Sequence, residues 1–126
     1  MMPIVSVVGK SNSGKTTLLE KLIPEMKKRG FGRIVNIASI WSKISKPGRS
    51  LYTMSKTGLV GFTRSLAVEH AAKNILVNAV SPGFTLTELT AQSLSTDEMK
   101  SLSEQIPVGR FAKPSEIAQT VLFLCS

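Results

Sequence analysis

Cysteine, histidine, tryptophan, tyrosine and aspartate occur once each in the 126 residues, as Cys125, His70, Trp41, Tyr52 and Asp97. A lone cysteine excludes an intrachain disulfide and fits a reducing setting. A lone histidine beside Glu69 lacks the partners that a metal site or a triad needs, so His70 is expected to pack or to face solvent. No apolar run reaches the length of a membrane span. The start, Met1-Met2-Pro3-Ile4-Val5, has neither the basic region nor the long apolar stretch of a signal peptide. A cytoplasmic protein without membrane contact is the expectation. Internal repeats and low-complexity tracts are absent.

What is present suits one folded domain over residues 1–126: 42% hydrophobic residues are enough for a core and argue against disorder. The formal charge of +8 is uneven. Residues 1–50 carry ten Lys/Arg against Glu20 and Glu25, whereas residues 51–126 carry six of each sign. A basic first part suits a phosphate-bearing nucleotide partner. Nucleic acid is disfavoured, because the cations are scattered singly without an interleaved aromatic set.

Pro3–Val8 reads as an apolar strand, Gly9–Gly14 as a loop, and Lys15 to about Arg29 as a helix with Leu18, Leu19, Leu22, Ile23 and Met26 on one face. Pro24 should kink that helix or end it early, and Gly30 and Gly32 are stop signals. A second strand spans Arg33–Ala38, and a polar loop closes on Lys46-Pro47-Gly48-Arg49. The longest helix runs from Leu51 to about Ala72 and a third strand spans Ile75–Val80, broken by Ser81-Pro82-Gly83. Ser95 and Glu98 form a capping-box pattern, and Pro114 suits the first turn of a last helix. Strands alternating with helices, each strand nearly all apolar, predict an α/β fold: a parallel sheet of about three strands in a three-layer arrangement with P-loop or Rossmann-like crossovers. Gly58 and Gly61 are expected to allow close helix packing. Trp41 borders a substrate pocket or covers the core.

Two constellations carry chemistry. Gly9-Lys10-Ser11-Asn12-Ser13-Gly14-Lys15-Thr16 fits G-x-x-x-x-G-K-[ST] between a strand and a helix. In that geometry inward backbone N–H groups and the helix N-terminus hold phosphates. Gly9, Asn12, Ser13, Gly14, Lys15, Thr16 and Thr17 are then the nucleotide-binding set, with Lys15 on the terminal phosphates and Thr16 on Mg²⁺. The stretch Val7–Leu19 resembles the start of the molybdopterin-guanine dinucleotide biosynthesis protein B family. That resemblance covers residues 1 to about 32 and implies GTP or ATP with Mg²⁺. No Walker B strand ending in Asp follows, since Asp97 lies in a helix cap.

The second constellation is Tyr52 and Lys56, four apart on a helix and so on one face. An ammonium near a phenol favours the phenolate and makes a usable acid/base pair. Ser39 ends the strand before it; Asn78-Ala79-Val80-Ser81-Pro82-Gly83 and Thr87 follow, then Ile106-Pro107-Val108-Gly109-Arg110-Phe111 and Pro114-Ser115-Glu116-Ile117-Ala118. Six landmarks in this order resemble the short-chain dehydrogenase/reductase family from its fifth strand onward, over about residues 30–126. The resemblance implies Tyr52 as proton donor to a carbonyl oxygen, Ser39 polarising that oxygen, and Lys56 on a nicotinamide ribose. Pro82, Gly83 and Thr87 would line the NAD(P) site, and the Tyr52 helix face would form a homo-oligomer. The family's first half and the catalytic Asn before the Ser strand are missing. Residues 1–32 and 33–126 thus read as a composite with a junction near Gly30–Arg33, by fusion or engineering. Three readings stand: a nucleotide-binding oxidoreductase relic, a P-loop GTP or ATP binder on a borrowed scaffold, and an inactive chimera.

Overall fold

The computed structural model describes residues 15–126. Helix α1, Lys15–Arg29, leads through a tight turn into strand β1, Gly32–Ile37. A short 3-10 turn at Ile40–Ser42 and a loop precede helix α2, Ser50–His70. A second 3-10 turn, Ala71–Lys73, feeds strand β2, Ile75–Val80; helices α3 (Glu88–Ser93), α4 (Thr96–Glu104) and α5 (Pro114–Cys125) follow. The expected strand Pro3–Val8 lies outside the described residues.

β1 and β2 pair in parallel over their whole length, from Gly32 opposite Ile75 to Ile37 opposite Val80. Asn74 fixes that register. It takes the left-handed conformation (φ 57°), which asparagine tolerates better than most residues. From there its carbonyl accepts from the Gly32 N–H (3.1 Å) and from Arg33 Nη1 (3.2 Å), while its Nδ2 donates to the Gly30 carbonyl (3.2 Å). Both strands therefore start from one tied corner.

The core is Ile34, Leu66, Ile75 and Val77, with Ile23, Met26 and Ala67 packed against it. Ile75 is fully buried, which is worth about 2–3 kcal/mol of apolar transfer. Gly32 lets α1 come close: a Cβ there would meet Met26 Sδ at 2.7 Å. α1 runs through Pro24 without ending early. The proline forfeits one helical hydrogen bond, and Ile23 and Met26 still reach the core from the same turn. His70 is buried, and its Nδ1 has no hydrogen-bond partner among the described residues.

Both helix-start signals are realised. Ser95 caps α4, its Oγ accepting from the Glu98 N–H (3.3 Å) while the Glu98 carboxylate accepts from the Ser95 N–H (2.8 Å). These bonds to the carboxylate, the backbone one first, lower the Glu98 pKa. Pro114 opens α5. Among the described residues nothing packs on the two glycines: a Cβ at Gly58 or Gly61 would meet nothing within 4 Å. The two glycines lie on a part of α2 that no other described element covers closely, so they mediate no tight packing among the described residues.

Candidate active site

The hydrogen-bond ladder continues past the strands. The Ala38 N–H donates to the Val80 carbonyl (2.8 Å) and the Ile40 N–H to the Pro82 carbonyl (2.9 Å). This extension sets Ser39 beside the Ser81-Pro82-Gly83 turn at the carboxyl ends of both strands, where α/β sheets bind ligands. Ser39 is extended (φ −168°, ψ 159°) and buried. Its Oγ accepts from the Trp41 N–H (3.3 Å), which orients the hydroxyl and leaves its proton free to donate. Its carbonyl accepts from the Ser42 N–H and Oγ, at 2.9 and 2.7 Å.

The first turns of α2 dock on this segment. Thr57 Oγ1 donates to the Ser42 carbonyl (3.3 Å), and the hydroxyls of Thr53 and Ser45 lie 3.2 Å apart. Deeper in, Asn36 Nδ2 donates to Thr63 Oγ1 (2.9 Å), which donates to the Leu59 carbonyl (2.8 Å). Lys56 Nζ donates to the carbonyl of Ile37, two residues before Ser39, at 2.8 Å. The same Nζ lies 5.7 Å from the centroid of the Tyr52 ring. Tyr52 itself is 41% exposed, so its hydroxyl is reachable from solvent. Lys56 thereby links the strand end that carries Ser39 to the ring of Tyr52.

Across the turn, Trp41 meets Phe84 edge-on (centroids 6.3 Å, 89°), and Phe84 meets buried Phe111 at 5.8 Å. The Ala112 N–H donates to the Phe84 carbonyl (2.9 Å) and the Leu86 N–H to the Ala112 carbonyl (2.8 Å), clipping the post-β2 loop to the approach of α5. Arg110 and Glu116 secure that approach with two bonds of 2.8 and 2.7 Å. The Arg110 guanidinium, and then the Lys113 N–H, hold the Glu116 carboxyl down at about 2. Thr87 caps α3, accepting from the Thr90 N–H (3.2 Å). Trp41 therefore borders the site and covers the aromatic cluster at once.

Sequence reasoning passed over Arg49. Its guanidinium carbon lies 5.9 Å from the Trp41 centroid and 6.0 Å from that of Tyr52; Lys46 Nζ lies 5.5 Å from Trp41. Its position at the start of α2, three residues before Tyr52, was the available signal.

A nicotinamide fits the residues present. Space is open at Gly83, where an added Cβ would meet nothing within 4 Å. Lys56 uses one of its three N–H donors on Ile37, leaving two for a ribose. Of the phosphate-loop set, Gly9, Asn12, Ser13 and Gly14 lie outside the described residues; Lys15, Thr16 and Thr17 fall in the first turn of α1. Among the described residues no three His, Cys, Asp or Glu gather as metal ligands, and no helix is long and apolar enough to cross a membrane.

A family model described as "Enoyl-(Acyl carrier protein) reductase" matches residues 6–126. The 3-oxoacyl-(acyl-carrier-protein) reductase of Aquifex aeolicus is 46% identical over 114 residues, 90% of this chain and 46% of its own. That of Thermotoga maritima is 39% identical over 121 residues, 96% of this chain and 49% of its own. A gluconate 5-dehydrogenase from Burkholderia cenocepacia, solved with NADP and tartrate, superposes with a TM-score of 0.81 at 27% identity, over 88% of this chain and 44% of that one. The TT0495 protein of Thermus thermophilus gives 0.78 at 35% identity, over 86% of this chain and 47% of that one. The chain thus spans about half the length of the curated relatives it matches. These matches do not stop at the expected junction near Gly30–Arg33; they run on through α1. A second parent, a Walker A site and a chimeric origin find no support in them, nor does GTP or ATP with Mg²⁺.

Proposed function

The chain belongs to the short-chain dehydrogenase/reductase family, and we propose that it is the catalytic half of an NAD(P)-dependent oxidoreductase acting on a carbonyl or alcohol group. The observation that carries the reading is the placement of Lys56. Its ammonium is tied to the strand that presents Ser39 (Ile37 carbonyl, 2.8 Å) and lies beside the ring of Tyr52.

Ser39, buried and oriented by the Trp41 N–H, donates a hydrogen bond to the substrate oxygen and keeps its proton. Tyr52 gives its hydroxyl proton to that oxygen as negative charge develops there. Lys56 stabilises the phenolate left behind and, with its remaining protons, holds a nicotinamide ribose. Pro82 and Gly83 bound the flat side of that site, and Thr87 closes its far rim by starting α3. The nicotinamide, when bound, supplies or accepts the hydride. NADP in the solved Burkholderia relative supports this cofactor class.

The 126 residues act in this reading as a single unit, with Gly9–Thr16 inside it rather than as a separate nucleotide site. We also propose self-association through α2, whose exposed apolar residues Leu51 (76%), Met54 (66%) and Val68 (84%) flank the open Gly58 and Gly61. The test is NADH and NADPH binding followed by oxidation with a small aldehyde or ketone, against Tyr52→Phe. Turnover abolished in the variant supports the reading; cofactor binding without turnover in the native chain removes the catalytic part, and neither signal removes it entirely.

A further inference from the structure

Residues 26–68 contain nine Lys or Arg and no Asp or Glu. This stretch includes Ser39, Tyr52 and Lys56, so every charged side chain within it is positive. Among the described residues the ion pairs are Lys28–Glu25 and Arg110–Glu116, and neither involves the cations of the Ser39–Tyr52 loop. Residues 1–14 contain no carboxylate side chain that could neutralise them.

Within this loop Arg49 is exposed yet lies beside two aromatic rings. Its guanidinium carbon lies within 5.9–6.0 Å of the centroids of both Trp41 and Tyr52, with Lys46 on Trp41 as well. Two rings at this distance attract the guanidinium toward them. The guanidinium has no hydrogen-bond acceptor among the described residues, so its fork of N–H donors is available. A planar fork beside the proton donor matches the two oxygens of a carboxylate or phosphate.

We propose that Arg49, assisted by Lys46, anchors an oxyanion group of the substrate, making the preferred substrate a small anionic carbonyl or hydroxy compound. This rests on the oxidoreductase reading above, which places the reacting oxygen at Tyr52. Arg49 is a specificity residue here, and the chemistry stays with Ser39, Tyr52 and Lys56.

Trp41, the sole tryptophan, sits under both cations and reports on them directly. The experiment titrates the chain with malonate, inorganic phosphate or neutral malonamide at constant ionic strength and follows Trp41 emission. Saturable change is expected with malonate or phosphate, whichever matches the anchored group, and none with malonamide. Arg49→Met should weaken the response about tenfold or more, Arg49→Lys less, and Arg64→Met, on the same helix away from the loop, not at all. Circular dichroism checks each variant, and Arg49→Lys keeps the test open should Arg49→Met fail to fold. A malonamide response equal to that of the responding anion, no response to either anion, or an unchanged midpoint in a folded Arg49 variant, would overturn the proposal. So would competition by NADP⁺ at its own binding concentration, which would assign the anion site to the cofactor. NAD(P)H turnover is read separately, so an anion response without turnover retires the oxidoreductase reading alone, and turnover without an anion response retires this one.

Discussion

Replacing Tyr52 by phenylalanine removes one oxygen and separates chemistry from stability. The Tyr52 hydroxyl makes no hydrogen bond with another described residue, and the residue is 41% exposed. The substitution should therefore change folding stability by no more than about 0.5 kcal/mol. General-acid catalysis contributes about 10²–10⁴-fold, equivalent to about 2.7–5.5 kcal/mol of barrier at about 1.36 kcal/mol per tenfold. Lys56→Met differs, because its ammonium also donates to Ile37. It should lose activity and about 1 kcal/mol of stability together. The assays are NADPH oxidation at saturating carbonyl substrate and urea unfolding followed by far-UV circular dichroism. A Tyr52→Phe chain that retains more than a tenth of the activity, or that loses stability as Lys56→Met does, would refute the assignment.

Ile75→Ala empties the most buried position of a small core and should cost about 3–4 kcal/mol, against less than 0.5 kcal/mol for Val68→Ala at 84% exposure, both read by urea unfolding. Glu116 titrates at about 2 when folded against an ordinary 4.5, so its contribution is complete above pH 4.5 and lost as the pH falls toward 2. Melting temperatures across that window should fall less steeply in Glu116→Gln than in the native chain. Sedimentation at micromolar concentration should show a species larger than the monomer, shifted toward monomer by Leu51→Glu; a native chain that runs as a clean monomer would contradict the α2 interface.

Most of the element order was legible because its signals are local. β-branched runs marked β1 and β2, Ser95 with Glu98 marked α4, and Pro114 marked α5. The Ser39, Tyr52 and Lys56 set was legible because a strand end and one helix face bring the three together at fixed spacing. What was not legible depends on contacts between elements. Arg49 gains its role from two rings, one from each side of the loop, and Pro24 is tolerated because its neighbours reach the core. Gly58 and Gly61 were assigned a packing role that needs a neighbour the described residues do not place there. The reading of two parents rested on one short stretch, Val7–Leu19, too short to outweigh a family match running through the following helix.

The parallel register of β1 and β2 has a kinetic consequence. Gly32 pairs with Ile75, so no hairpin can nucleate the sheet, and the 21-residue α2 must form and swing back before the first rung closes. Loop closure over that separation costs entropy before any contact returns it, which places such chains among the slower two-state folders. Lys56 meets Ile37 only after the same closure. In a refolding experiment, recovery of cofactor binding should track formation of the sheet in a single phase, with no earlier species that holds the nucleotide.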